Sequence, residues 1–316
     1  MKELSVVIPV MDEEDNIELM IEGITNALKD IDHEIIFVDD GSKDRTLDLL
    51  KKHASESLIT VEFAKNYGQS SAMQAGIDIA SGKYITTLDG DLQNDPIDIP
   101  EMLKLLKDKD VDLVAGERLN RKDGAFLRKI PSNIANAIIR KATGVYIRDY
   151  GCTLKVFTRK LAKSLNLYGE LHRFIPVLAA FEGGRIIQVP VRHHARQFGK
   201  SKYSINRTIK VISDLLFMVF MRKYMLKPMH FFGASGLGVL SLGMLINFYF
   251  LVKKIMGDDI WGRPMLLLGI LLSLGGFQLI TIGIMSELQM RTYYESQDKK
   301  IYNIRKVHGG TKHQEV

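Results

Sequence analysis

Two long stretches of the chain, which contain no Lys, Arg, Asp or Glu, are His230 to Val252 and Pro264 to Ser286. Each has about 23 residues, and a helix needs roughly 20 apolar residues to cross a bilayer. A buried helical hairpin in a soluble core is the alternative. The length, glycine content and lack of charge of this pair favour two transmembrane helices instead. The chain is therefore predicted to be a multi-pass membrane protein.

Cationic residues around the two stretches predict their orientation. Lys253, Lys254 and Arg263 lie in the short connection, together with the single tryptophan, Trp261. A larger set flanks the outer ends of the hairpin: Arg222, Lys223, Lys227, Arg291, Lys299, Lys300, Arg305 and Lys306. Because cytoplasmic flanks are enriched in Lys and Arg, the N-terminal region and both ends of the hairpin are predicted to face the cytoplasm, at the inner (plasma) membrane.

Apolar runs alternate with helical patterns in the N-terminal part of the chain. Five runs are predicted to be strands: Leu4 to Pro9, Glu34 to Val38, Leu58 to Phe63, Tyr84 to Leu88 and Asp112 to Ala115. Ile17, Ile21, Ile24 and Leu28 share one face of a helix between the first two strands. Continuous apolar strands that alternate with helices predict a mostly parallel sheet covered on both faces, which is a doubly wound α/β fold.

These patterns divide the chain into four predicted segments. They are an α/β domain at residues 1–204, a juxtamembrane helix at 205–228, two transmembrane helices at 229–290 and a cytoplasmic tail at 291–316. The second segment is amphipathic, with Ile205, Ile209 and Ile212 interleaved with basic residues. It lies on the membrane surface or packs on the soluble domain, and the sequence leaves both arrangements open.

Carboxylates follow two of the predicted strands. Asp39 and Asp40 end the second strand, and Asp89 and Asp91 end the fourth, separated by one glycine. Ligands of open α/β sheets bind beyond the carboxyl ends of the strands. Clustered carboxylates repel each other unless a cation lies among them, and oxygen ligands of this kind suit Mg²⁺ or Mn²⁺ completed by a diphosphate. An Asp-x-Asp turn alone is weak support for a metal, because turns favour Asp and Gly.

Several other function classes lose support. The chain has no Gly-x-x-x-x-Gly-Lys-Ser/Thr loop and no Gly-x-Gly-x-x-Gly after its first strand, which argues against ATPases and dinucleotide-dependent dehydrogenases. His193 and His194 lack the partner spacing of a zinc site. A net charge of +6 without a nucleic-acid recognition motif predicts no nucleic-acid partner. Cys152 is the single cysteine, so no intramolecular disulfide can form.

Four motifs occur in order along the chain. They are SVVIPVMDE from Ser5, FVDDGSKDRT from Phe37, NYGQ from Asn66 and LDGDLQ from Leu88. Together they resemble family 2 glycosyltransferases with the Rossmann-like GT-A fold. The sequence looks most like the polyprenyl-phosphate glycosyltransferase branch, which includes GtrB-like and dolichol-phosphate mannose synthase-like enzymes. The resemblance extends over residues 4–210, and the two C-terminal spans are similar to the GtrB-type arrangement.

The resemblance implies roles for individual residues. On the donor side, the nucleotide sugar would be bound by Pro9, Glu13, Asp39, Asp40, Gly68 and Gln69, and the metal by Asp89, Asp91 and Gln93. On the acceptor side, phosphate groups would be bound by Arg118, Arg128 and Ser132, and by Arg196, Ser201 and Lys202 of a later basic loop. Arginine suits these positions because it can bind phosphate with two hydrogen bonds. A solvated surface cation is the alternative for each basic residue.

Asp149 matches a position near the acceptor in the same branch and is predicted to be catalytic together with Asp89 and Asp91. A phosphate monoester, however, is already largely anionic near neutral pH, because its second pKa is about 6. Such an acceptor needs no general base. Asp149 is therefore predicted either to act as a base or to orient the substrate, and the sequence leaves this open.

The predicted function is inverting transfer of a hexose from a nucleotide sugar to polyprenyl (undecaprenyl) phosphate at the cytoplasmic membrane face. The GtrB resemblance implies UDP-glucose as the first donor, and GDP-mannose is the alternative. A processive polysaccharide synthase is disfavoured because such enzymes carry a Gln/Arg-x-x-Arg-Trp motif and more spans, and a non-enzymatic sensor is disfavoured by the intact acidic motifs. A homo-oligomer that packs through glycines of the spans, such as Gly233, Gly236 and Gly238, is a further expectation.

Overall fold

The computed structural model describes residues 2–118, 140, 143–195, 220, 224 and 227–296. The chain divides into two compact units, Met1–Leu216 and Phe217–Val316. Most of the predicted juxtamembrane helix and the end of the tail lie outside the described residues. The boundaries between the four predicted segments therefore stay predictions.

The first unit is an alternation of strands and helices. In chain order it contains β1 (Leu4–Val10), α1 (Ile17–Ala27), β2 (His33–Asp39), α2 (Thr46–His53), β3 (Leu58–Glu62), α3 (Gln69–Ile79), β4 (Tyr84–Thr87), a 3₁₀ turn (Pro96–Asp98), α4 (Ile99–Asp108), β5 (Leu113–Arg118), β6 (Lys155–Thr158), α5 (Arg159–Ser164), a second 3₁₀ turn (Leu171–Phe174), α6 (Ile175–Phe181) and β7 (Ile186–Val191). The five strands predicted from apolar runs are β1 to β5, with ends that differ by at most three residues.

The strands form one mixed sheet in the order β3-β2-β1-β4-β6-β5-β7. Strand β6 is antiparallel to β4 and β5, and the other neighbouring pairs are parallel. The predicted mostly parallel sheet is confirmed. Strands β6 and β7 were not predicted, and β6 provides the antiparallel pairing.

Helices cover both faces of the sheet, as the continuous apolar strands predict. All seven residues of β1 are buried. Val6 and Ile8 belong to one core cluster with Met20 and Ile24 of α1. On the opposite face, a β-carbon on Gly76 of α3 would lie 2.4 Å from a Val7 methyl group, so α3 approaches β1 closely only because residue 76 is glycine.

The second unit is a helical hairpin of α7 (Pro228–Ile255) and α8 (Pro264–Ser296). Both helices are long and apolar enough to cross a membrane, and only 17% and 11% of their most apolar 18-residue windows are buried. A helical hairpin in a soluble core would be mostly buried, so this exposure disfavours that alternative. Helix α7 continues to Ile255, which places Lys253 and Lys254 in its last turn rather than in the connection.

Glycines let the two helices of the hairpin pack closely. A β-carbon on Gly236 would lie 2.8 Å from the Gly276 carbonyl oxygen, and one on Gly243 would lie 2.5 Å from the Ser273 backbone nitrogen. Gly236 is therefore used within the chain, which corrects the expectation that it packs against a second copy. Gly233 is also buried within the hairpin, whereas Gly238 has open space around it. The homo-oligomer itself stays a prediction.

Candidate active site

The sheet order brings the sequence-predicted carboxylates to one edge. Strands β2, β1 and β4 are parallel neighbours, so the segments that follow them leave the sheet side by side. A β-carbon on Gly90 would lie 2.6 Å from a Val10 methyl group. Glycine is thus required between Asp89 and Asp91 for the loop after β4 to pack on the end of β1.

Asp39 ends β2 with its carboxylate inside the protein. Only 1% of the residue is exposed. Its Oδ2 accepts a hydrogen bond from the Ser42 backbone N–H at 3.2 Å, whereas its buried Oδ1 has no donor among the described residues. A buried acceptor without a donor is costly, so this oxygen suits an N–H or O–H group of a ligand.

Asp40 is buried too, but its carboxylate is used within the protein. It accepts backbone N–H bonds from Tyr67 at 2.6 Å and Gly68 at 2.9 Å, and a side-chain bond from Asn66 at 3.0 Å. Burial raises the pKa of Asp40, while the Tyr67 and Gly68 bonds oppose that rise. Asp40 therefore fixes the turn at Gly68, whose φ of +93° favours glycine. Its predicted contact with the nucleoside stays a prediction.

The loops after β1 and β2 are joined to each other. The Asp12 N–H donates to the Ser42 hydroxyl at 2.9 Å, and the Lys43 N–H donates to the Asp12 carboxylate at 2.7 Å. The Glu13 N–H donates to the Thr46 hydroxyl at 2.8 Å. These reciprocal bonds give a fixed wall next to Asp39.

Two other predicted nucleoside contacts lie close to this wall. Pro9 is buried within β1, opposite Val38. The Glu13 carboxylate accepts a bond from the Asn16 side chain. Neither arrangement tests a contact with a nucleoside, so both stay predictions.

Asp89 and Asp91 lie close enough to influence each other. Burial, and then the charge of Asp91, raise the pKa of Asp89 to about 6. The Gln69 amide donates to Asp89 Oδ1 at 2.7 Å, and the Gln93 N–H donates to Asp91 Oδ1 at 3.2 Å. Gln69 therefore holds a carboxylate, although the sequence predicts it to contact the nucleotide sugar.

A divalent cation fits this pair. Two nearby carboxylates in a poorly solvated site repel each other, and a cation between them would relieve that repulsion. Within the described ranges no group of three His, Cys, Asp or Glu side chains could hold a metal. The remaining ligands would then come from a diphosphate and water, which is how Mg²⁺ is commonly bound.

Arg118 at the end of β5 pairs with Asp149. The Arg118 Nε donates to Asp149 Oδ2 at 2.7 Å, and Nη2 donates to Oδ1 at 2.9 Å. Both side chains are nearly buried, with 12% and 13% exposed. Burial lowers the pKa of Arg118, but the paired carboxylate raises it more, so the guanidinium stays charged.

The chain after β7 runs beside the Asp91 loop. His193 forms an isolated antiparallel bridge with Asn94, and the His194 N–H donates to the Gln93 carbonyl at 2.8 Å. His193 and His194 belong to the predicted basic loop, which extends over residues 192–202. Its Arg196, Ser201 and Lys202 lie outside the described residues, as do Arg128 and Ser132.

Comparison with known proteins identifies the family. The sequence model of glycosyl transferase family 2 matches residues 5–165, which is more than half of the chain. The chain belongs to glycosyl transferase family 2. This family 2 glycosyltransferase also matches curated relatives over nearly its whole length, so the similarity includes the helical hairpin.

Two relatives of the glycosyltransferase are named for lipid-phosphate substrates. A dodecaprenyl-phosphate galacturonate synthase from Rhizobium johnstonii is 47% identical over 96% of this chain and 93% of its own length. An undecaprenyl-phosphate 4-deoxy-4-formamido-L-arabinose transferase from Photorhabdus laumondii is 34% identical, over 98% of this chain and 96% of its own.

A solved structure supports the fold. Glucosyl-3-phosphoglycerate synthase from Mycobacterium tuberculosis, in complex with Mn²⁺ and UDP-glucose, has a TM-score of 0.55 over 70% of this chain and 79% of its own. At 18% identity this likeness shows the fold alone. It confirms the predicted GT-A fold of the glycosyltransferase.

Sequence reasoning missed residues that support the site. Lys155 of β6 is 1% exposed and donates to the Cys152 carbonyl oxygen. Burial lowers the pKa of Lys155, and the charge of Lys155 lowers that of Asp89. A lysine within the apolar run Leu154 to Phe157 was the available signal, because a charged residue is seldom fully buried unless it is paired.

His172 supports the same site from the far side of α3. Its Nδ1 lies 2.8 Å from the Ser70 hydroxyl oxygen, which also accepts the His172 N–H at 3.2 Å. Ser70 follows Gln69, so this pair holds the turn that carries the Gln69 amide to Asp89. Burial, with help from Arg173 and Lys155, lowers the pKa of His172 to about 3.

We expect His172 to make the glycosyltransferase acid-sensitive. Because its pKa is lower in the folded state than the unfolded value of 6.5, the unfolded state binds more protons, and stability falls as the pH falls from about 6.5 towards 3, by roughly 1.4 kcal/mol per pH unit. Urea unfolding of wild type and His172→Gln between pH 7 and 5 measures this. As the pH falls from 7 to 5, the free energy of unfolding of wild type should approach that of His172→Gln by about 2 kcal/mol. A constant difference would show that His172 is not buried neutral.

Proposed function

We propose that this chain transfers a glycosyl group from a nucleoside diphosphate sugar to a polyprenyl phosphate. The observation that carries the proposal is the close pair Asp89 and Asp91, which lies at the same end of the sheet as a buried Asp39 oxygen that has no donor among the described residues. One site can thus receive a diphosphate and a nucleoside together. Support for the acceptor comes from the two relatives, which match the chain from the α/β domain through the hairpin.

For the donor we propose a nucleoside diphosphate hexuronate, with UDP-galacturonate first. The relative that is 47% identical is named for galacturonate, and the one that is 34% identical is named for a formamido-arabinose. Neither name favours the glucose or mannose expected from the family resemblance. UDP-glucose and GDP-mannose therefore become comparison donors.

Asp89 and Asp91, with the Gln93 amide, are the residues that would hold a bound Mg²⁺ or Mn²⁺. Such a cation would supply charge stabilisation for the departing nucleoside diphosphate. Gln69 keeps Asp89 in place, and the joined loops at Asp12 and Ser42 hold the nucleoside wall.

The proposed reaction is a direct inverting displacement. An oxygen of the acceptor phosphate forms a bond to the anomeric carbon, while the bond from that carbon to the donor diphosphate breaks. The acceptor arrives as an anion, so no proton has to be removed. The main task of the protein is then to bring two anionic groups together and hold them in line.

The hairpin places the reaction at the membrane in this proposal. Helices α7 and α8 would cross the bilayer and return, which leaves the α/β unit on the side with more flanking Lys and Arg, the cytoplasm. The long polyprenyl chain of the acceptor would remain in the bilayer. Its phosphate would lie at the surface, within reach of a soluble nucleotide sugar.

A donor panel tests the proposed function. Purified enzyme in detergent is given undecaprenyl phosphate, Mg²⁺ or Mn²⁺, and radiolabelled UDP-galacturonate, UDP-glucuronate, UDP-glucose or GDP-mannose. We expect transfer from UDP-galacturonate to exceed transfer from UDP-glucose at least about 100-fold in kcat/KM, because a site built for a carboxylate rejects a substrate without one. Preferred transfer from UDP-glucose would overturn the donor proposal. No labelled lipid from any donor would overturn the acceptor proposal.

A further inference from the structure

We propose that Asp149 is a positioning residue, which holds Arg118 so that one edge of its guanidinium meets the acceptor phosphate, and that Asp149 does not act as a base. This inference rests on the proposed function, because it concerns the acceptor of that reaction. The sequence leaves open whether Asp149 acts as a base or orients the substrate, and the inference favours an orienting role.

The Asp149 carboxylate is already supplied with donors. Its Oδ2 accepts bonds from the Arg118 Nε at 2.7 Å and the Arg118 backbone N–H at 3.3 Å. Its Oδ1 accepts bonds from the Arg118 Nη2 at 2.9 Å and the Gly151 N–H at 3.1 Å. A carboxylate offers about four lone-pair positions. These four bonds use them, so a substrate proton has no open position to occupy.

The same contacts leave one edge of Arg118 for a ligand. Asp149 takes the Nε side of the guanidinium and one Nη2 hydrogen. The Nη1 group makes no hydrogen bond within the part of the chain that the structure describes. The remaining Nη1 and Nη2 hydrogens form a second fork, which matches two oxygens of a phosphate.

Arg118 lies within electrostatic range of Asp89, because the charge of each influences the pKa of the other. Asp149 offsets part of the positive charge of Arg118, and the backbone of β5 fixes where the side chain begins. Because the Asp149 carboxylate already fixes the guanidinium, Arg118 loses less side-chain freedom when an anion binds.

Gly151 keeps room for the pair. A β-carbon at position 151 would lie 2.9 Å from Arg118 Nη2 and 3.6 Å from Asp149 Oδ1. A larger residue there would push the guanidinium away from its carboxylate without changing any charge. Gly151→Ala is therefore a second way to disturb the position of Arg118.

A double-mutant cycle in the full-length enzyme tests the inference. The variants are Asp149→Asn, Arg118→Met and the double variant, assayed for transfer to undecaprenyl phosphate. We expect Asp149→Asn to raise the KM for the acceptor about tenfold and to leave the donor KM and the shape of the kcat–pH profile unchanged. In the Arg118→Met background, Asp149→Asn should change kcat/KM less than about twofold, because nothing is left to position.

A general base would behave differently. If Asp149 removes a proton, Asp149→Asn should lower kcat by about 100-fold or more in either background, and one limb of the pH profile should disappear. That result overturns the inference. Gly151→Ala should reproduce the higher acceptor KM, and an unchanged KM in both Gly151→Ala and Asp149→Asn would also overturn it.

Controls separate this inference from the proposed function. Arg148→Gln removes a neighbouring cation whose side chain is 78% exposed, and it should leave the acceptor KM within about twofold of wild type. Thermal unfolding of each variant identifies a general loss of folding. If wild type transfers nothing to undecaprenyl phosphate, the proposed function fails. If wild type is active and the cycle is additive, the positioning role alone fails.

Discussion

Replacing Asp91 by asparagine is expected to lower glycosyl transfer about 100- to 1,000-fold while the protein remains folded. The Asp91 carboxylate lies close to Asp89 at the end of β4, and the pair is the proposed support for a divalent cation at the donor diphosphate. Asparagine keeps the shape but loses the charge, and removal of one electrostatic contact to a transition state typically costs 100- to 1,000-fold. Initial rates with Mg²⁺ or Mn²⁺ measure the effect.

Metal binding gives a readout that does not depend on turnover. Titration of wild type with Mn²⁺ in the presence of UDP, followed by electron paramagnetic resonance, should show bound ion, and Asp91→Asn should bind at least about tenfold more weakly. Asp78→Asn removes an exposed carboxylate of α3 and serves as the matched control. Wild-type activity that survives complete chelation, or full activity in Asp91→Asn, would remove the metal from the proposal.

The unfolding temperature of Asp91→Asn distinguishes a loss of catalysis from a loss of folding. In the metal-free protein the charge of Asp91 raises the pKa of Asp89, which means that the ionised pair destabilises the fold as the pH rises above about 4. Asp91→Asn should therefore unfold at the same or a higher temperature than wild type at pH 7. A lower unfolding temperature would point to a structural role for Asp91 instead.

The fold could be predicted as far as apolar patterns extend. Strands β1 to β5 were found because parallel strands covered on both faces are continuous apolar runs. Strand β6 was missed because it is short and contains the charged Lys155, whose buried position depends on the Cys152 carbonyl oxygen. Strand β7 includes Gln188 and Pro190, and proline is tolerated there because β7 lies at the edge of the described sheet.

The site could be predicted where chain direction determines proximity. Asp39, Asp89 and Asp91 were found because neighbouring parallel strands end at the same edge. The supporting pairs could not be found in that way. Gln69 and Asp89 are 20 residues apart, Arg118 and Asp149 are 31 apart, and Ser70 and His172 are 102 apart. No local periodicity links such residues, because their contacts form only when the loops pack.

Asp39→Asn is expected to weaken nucleotide binding and to stabilise the ligand-free protein. The buried Oδ1 of Asp39 has no donor within the described residues, so in the free protein it is a buried acceptor without a hydrogen bond. Removing that unpaired carboxylate oxygen should favour folding by about 1 kcal/mol. A nucleotide N–H or O–H that would bond to the carboxylate loses a charged hydrogen bond worth roughly 1.5–3 kcal/mol, which corresponds to a Kd for UDP about 10- to 100-fold higher.

Asp40→Asn is the matched comparison, since Asp40 follows Asp39 directly and is also buried. Its carboxylate accepts the N–H groups of Tyr67 and Gly68, and an amide group in its place would turn a donor towards them. This variant should lose about 1–3 kcal/mol of stability. Denaturant unfolding should therefore show opposite signs for the change in stability of the two variants. Calorimetric titration of each variant measures the Kd for UDP. If Asp39→Asn binds UDP as wild type does, the buried oxygen is not a nucleotide contact, and the nucleoside must bind elsewhere along the sheet edge.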